Sequence, residues 1–71
     1  MIKMINKKIS SNRSKICIEG IENICKNLGL NYYIIYTGVS RLFFEKYDNY
    51  IIKLEGNQFV VEQVIEAINN L

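Results

Sequence analysis

Residues 31–55 read NYYIIYTGVSRLFFEKYDNYIIKLE, and the way this stretch divides into strands decides the fold. It is dense in aromatic and β-branched side chains, which suit a pleated, half-buried surface. Gly38-Val39 and Asp48-Asn49 read as two-residue hairpin turns, because Gly, Asp and Asn tolerate the positive φ such turns need. They predict three strands, Asn31 to Thr37, Ser40 to Tyr47 and Tyr50 to Glu55, joined as an antiparallel meander.

The segments on either side of the meander are helical in pattern. From about Arg13 to Leu28 the apolar residues Cys17, Ile18, Ile21, Ile24, Cys25 and Leu28 share one face, opposite Lys15, Glu19, Glu22, Asn23 and Lys26. Ser11 or Asn12 is placed to cap the start, and Gly29 supplies the left-handed turn that ends a helix. From Gln58 to about Asn70 a second stripe runs through Val60, Val61, Val64, Ile65, Ala67, Ile68 and Leu71, behind Asn57 as N-cap. Ile16 and Phe59 fall off these stripes. Residues 1–12 form a basic N-terminal strand or arm, in which Ile2 to about Ile9 is expected to pair parallel with the meander through a right-handed crossover. The predicted order is (β)-α-β-β-β-α, an α+β two-layer sandwich, with 1–71 as a single small domain.

Two-residue turns fix register, and register fixes which side chains share a face. One face of the meander then carries Tyr32, Ile34, Tyr36, Phe43, Tyr47, Tyr50, Ile52 and Leu54, with Arg41 and Glu45. The other carries Tyr33, Ile35, Leu42, Phe44 and Ile51, with Thr37, Lys46, Lys53 and Glu55. A sheet backed by helices on one side needs only one apolar face, and a second one exceeds what isolated soluble monomers usually expose. Three arrangements account for the excess: one helix on each face, a homodimer burying sheet against sheet, or a docking surface for a different molecule. In the last, Tyr33, Ile35, Leu42, Phe44, Lys46, Ile51 and Lys53 form the interaction face, with aromatic anchors and a cationic rim.

Several chemistries are excluded by composition. The chain has no histidine, the usual general acid-base group at neutral pH and the usual activator of a serine or cysteine nucleophile. Cys17 and Cys25 lie about 12 Å of helical rise apart, beyond disulfide reach, and read as buried free thiols of a reducing compartment. Two cysteines without histidine do not make a zinc site. The pairs Glu19/Glu22 and Glu62/Glu66 read as solvated helix surface. The four glycines occur singly, so no phosphate-cradling loop is present. The expectation is therefore a protein that is not an enzyme, with no catalytic, cofactor or metal residues and no small-molecule substrate.

No apolar run of secretory-signal length follows the N-terminus, and the longest apolar stretch, Tyr32 to Tyr36, is too short to cross a bilayer. A cytoplasmic protein without a membrane partner is expected. The formal charge of +2 is unevenly placed, because Lys3, Lys7, Lys8, Arg13 and Lys15 precede the first acidic residue and no basic residue follows Lys53. Lys7, Lys8, Arg13 and Lys15 are accordingly candidate polyanion contacts. The abundance of Ile, Asn, Lys and Tyr reflects A/T-rich codons and fits a bacterial, archaeal, phage or plasmid source.

The α-β-β-β-α core is topologically similar to a double-stranded-RNA-binding domain and to small toxin ribonucleases of the same topology. The resemblance implies an RNA partner, but the motifs depart from it. Where such RNA binders carry a lysine cluster for phosphates, the second helix here has two glutamates and no lysine or arginine, and the histidine of the toxin ribonucleases is missing. The function expected from the sequence is a non-catalytic protein-binding module, a regulator or inhibitor of the kind mobile elements carry, acting on another protein or as a homodimer. The alternative is a single-stranded nucleic-acid binder that uses the sheet aromatics together with Lys7, Lys8, Arg13 and Lys15.

Overall fold

The computed structural model describes residues 1–71. Its elements are β1 (Ile2–Ser10), α1 (Ser14–Asn27), β2 (Asn31–Leu42), β3 (Glu45–Glu55) and α2 (Gln58–Asn69). The α+β class, both helices and an N-terminal strand are present, in the order β-α-β-β-α. Two strands, not three, follow α1. The sheet has the order β1-β3-β2, and both neighbouring pairs are antiparallel. The expected parallel pairing of the first strand is thus corrected: β1 runs parallel to β2, but β3 lies between them and takes the hydrogen bonds of both.

The meander is corrected at both of its turns. Gly38 does adopt a positive φ of 134°, yet it sits in a β-bulge between Tyr36 and Gly38, where Thr37 is the extra residue and the strand continues. Asn49, opposite Gly38, holds the bulge from across the ladder. Its Nδ2 donates to the Gly38 carbonyl and to Ser40 Oγ, both at 3.2 Å, and its own carbonyl accepts from Thr37 Oγ1 at 3.1 Å. Asp48 also stays in its strand, because its carboxylate is engaged by Ser11 Oγ at 2.8 Å and Ser14 Oγ at 2.5 Å. The actual turn is Phe43-Phe44, enclosed by the last cross-strand pair, Leu42 and Glu45. Phe43 takes φ 57°, a region normally left to glycine, at a cost of about 1–3 kcal/mol. With one strand fewer after α1, the topological likeness to the double-stranded-RNA-binding domain lapses.

Both helices pack on one side of the sheet. Ile21 and Cys25 of α1 and Val61, Val64 and Ile68 of α2 form one cluster with Leu30 and with Ile52 and Leu54 of β3. Ile5 and Ile34 close it from the flanking strands. Full burial of each large aliphatic side chain contributes about 1.5–3 kcal/mol, so this cluster dominates stability. The arrangement with one helix on each face is thereby ruled out.

The helix ends follow local chemistry. Gly29, at φ 69°, ends α1, with Leu30 N–H donating to the Cys25 carbonyl at 2.9 Å and Gly29 N–H to Lys26 at 3.2 Å. This is a Schellman closure, and Leu30 and Cys25 also meet in the core. Asn57 caps α2 as expected, its Oδ1 accepting from Phe59 N–H at 2.9 Å and Val60 N–H at 3.4 Å. At α1 neither Ser11 nor Asn12 is the cap. Arg13 holds that position without a side-chain bond, and the Ser11 and Ser14 hydroxyls turn instead to Asp48.

Candidate functional site

Placing both helices on one side leaves the opposite face of the sheet bare. Strand alternation puts Ile5, Ile34, Ile52 and Leu54 toward the helices, so their neighbours point outward. Register then builds two rows across the three strands, Met4–Lys53–Tyr33 and Asn6–Ile51–Ile35. Tyr33, Ile35 and Met4 are exposed, while Ile51 and the stem of Lys53 are half-buried between their neighbours. The result is an apolar band crossed by one ammonium group.

The seven residues expected to share a face divide into groups. Tyr33, Ile35, Ile51 and Lys53 are brought together as above. Leu42 lies on the same side, but far along the hairpin. Phe44 belongs to the turn, where Phe43 and Phe44 are 90% and 106% exposed. Lys46 is on the helix side, because Asp48, two residues on, points to the start of α1. Tyr47, assigned above to the core-facing side, is outward, and Lys8 Nζ stands 5.6 Å from the centre of its ring. Partial burial, with the Glu45 carboxylate nearby, pushes the Tyr47 hydroxyl above its ordinary range, so the ring stays neutral. These corrections share one cause: with Phe43-Phe44 as the turn, the register of the outer half of the hairpin is not the one that turns at Gly38 and Asp48 would set.

Met4 and Phe43 were missed by sequence reasoning. For Met4 a signal existed in the alternation of Ile5 and Ile9 toward the core, which forces Met4 outward. For Phe43 there was none, because no rule of turn chemistry selects two phenylalanines.

Of the candidate polyanion contacts, Lys7, Lys8 and Arg13 line one cleft beside Tyr47, and Lys15 lies outside it. Glu45 and Leu71 share that cleft, and the Lys7 ammonium donates to the Leu71 carbonyl at 3.4 Å. Of these cations, Lys7 is thus engaged by the chain itself, and Lys8 stands over the Tyr47 ring.

Both cysteines are free and buried. Burial, reinforced by Glu22, pushes the Cys25 thiol up, which keeps it protonated and unreactive. No group of three or more His, Cys, Asp or Glu side chains converges, and no helix is long and apolar enough to cross a membrane. Comparison of the chain with protein-family models, with curated proteins and with solved structures returned no match.

Proposed function

We propose that this protein is a non-catalytic protein-binding module that acts as a regulator or inhibitor, using the bare sheet face with the hairpin tip as an anchor. One observation carries the reading: both helices cover the same side, and Met4, Tyr33, Ile35 and Ile51 are left without a layer to pack against. An apolar band of rigid aromatic and aliphatic groups with a charged margin is the composition of an interface core. Lys53 crosses this face and Lys8 stands at its side, whereas Arg41 and Lys46 pair on the opposite side of the hairpin arm. The partner expected is therefore a protein with an apolar depression rimmed by carboxylates.

The test is a photo-crosslinker placed at Tyr33, with one at Glu62 on the solvent side of α2 as control, followed by reconstitution with the purified adduct partner. A discrete adduct at Tyr33 alone is expected, with affinity lowered about 30-fold or more by Tyr33→Ala or Phe44→Ala. Unchanged affinity in both variants would sink the reading.

A second reading, single-stranded nucleic acid on the same face, is supported by the Lys8–Tyr47 pair and by Lys53 beside Tyr33, because bases stack on aromatic rings flanked by cations. Its signature is steep salt dependence in a mixed-oligonucleotide shift assay, abolished by neutralising Lys7, Lys8, Arg13 and Lys15.

A further inference from the structure

The two edges of the sheet are built differently. β1 exposes an edge that carries Lys3, Lys7 and Lys8, the charge that natural sheets use to repel a further strand. β2, the other edge, has no charged side chain from Asn31 to Ser40, and the chain contains no proline to block it. It spans 12 residues. The exposed large apolar side chains of the hairpin arms, Tyr33, Ile35, Tyr36, Val39 and Leu42, all belong to β2 and none to β3. Before the bulge at Thr37 this edge is regular, neutral and largely apolar, and such a stretch is a template for strand addition.

From this asymmetry we infer that β2 pairs antiparallel with β2 of a second copy of this chain, giving one continuous sheet in the order β1-β3-β2-β2′-β3′-β1′. The occupant is argued from self-complementarity. The regular part of β2 runs from Asn31 to the bulge at Thr37, and its midpoint is Ile34. A two-fold axis through Ile34 sets Tyr33 opposite Ile35′ and Tyr32 opposite Tyr36′. Each pair matches outward with outward side chains, or helix-side with helix-side, as register demands. Aromatic residues then face aromatic or β-branched partners, the favourable cross-strand pairs. No like charges meet, since none lie on this segment, and the bulge ends the ladder before Arg41. A foreign strand would need a matching sequence, whereas a second copy supplies it by symmetry. A small chain with only 11 of 71 residues buried is also of the size that commonly draws support from a partner subunit.

The dimer enlarges the candidate site as well. The rows Met4–Lys53–Tyr33 and Asn6–Ile51–Ile35 join those of the second copy through Tyr33–Ile35′, so the apolar band becomes continuous across the axis.

The inference does not rest on the protein-partner reading, and it is tested on the purified chain alone by light scattering coupled to size exclusion. Wild type is expected at twice the chain mass, and Tyr33→Lys/Ile35→Lys at the chain mass, because the axis sets lysine against lysine twice. Tyr33→Lys/Ile35→Glu, which sets lysine against glutamate, is expected to stay dimeric. Both sites are exposed, and circular dichroism reports whether each variant stays folded. Met4→Lys separates this dimer from one that stacks sheet faces: it leaves the edge dimer intact and dissociates a stacked one. A monomeric wild type, a dimeric lysine pair, or dissociation by Met4→Lys overturns the inference. None of these results bears on whether the face captures a different protein.

Discussion

The root and the tip of the β2–β3 hairpin are equally rich in apolar residues and use them in opposite ways. At the root, Ile52 and Leu54 are wholly buried under the helices. At the tip, Phe43 and Phe44 stand in solvent, and Phe43 holds a backbone conformation costly for a side chain of its size. The root's residues are explained by the fold they stabilise. At the tip Phe43 adds backbone strain, and neither ring is covered by the rest of the chain.

Truncation at the root should have the largest effect. Ile52→Ala is expected to lose about 2–5 kcal/mol, read as a lower urea midpoint at unchanged slope. A loss within about 0.5 kcal/mol would mean that the cluster is not the main support of the fold. Next comes Gly56→Ala, at the root's end. An added Cβ would lie 2.4 Å from Leu30 Cδ2, and Leu30 is itself packed in the core. A destabilisation of about 1–3 kcal/mol is expected.

At the tip the sign reverses. Phe43→Gly should raise stability by about 1 kcal/mol by relieving the positive φ, seen as a higher thermal midpoint, and should weaken partner binding in the same variant. A fall in stability would show that the Phe43 ring packs against something in the folded chain.

The smallest effect is expected where root and tip meet, at Asp48, and only in acid. Hydrogen bonds from Ser14 and then Ser11 hold its carboxyl below the ordinary carboxylate range. Its contribution is therefore complete above the unfolded value and is lost as pH falls through the folded one. Asp48→Asn should flatten the acid limb of a stability–pH profile and lower stability slightly near neutral pH. An unchanged acid limb would assign the pH dependence to other carboxylates.

The part of the molecule legible in sequence follows the same division. Both helices, the Asn57 cap and the Gly29 terminus came from local signals that nothing in the tertiary structure overrode. The outward grouping of Tyr33, Ile35, Ile51 and Lys53 was also readable, because strict alternation holds on both strands at the root. The tip was misread because turn-forming residues were put to other uses. Gly38 gives its positive φ to a bulge, Asn49 spans that bulge from the facing strand, and Asp48 is held by serines distant in sequence. The antiparallel partner of β1 was likewise invisible, since the choice between neighbouring β3 and β2 depends on how the crossover packs.

The bulge at Thr37 acts as a spacer that keeps the two lengths of β2 in step with β3 without tying them to each other. Deleting Thr37 would restore an unbroken ladder and leave every later side chain on its present side. Losing Ile35, two residues earlier, would also be taken up by the bulge, and only Tyr36 and Thr37 would change sides. The outer arm can thus be lengthened, shortened or reshaped over evolutionary time while the interior keeps its pattern.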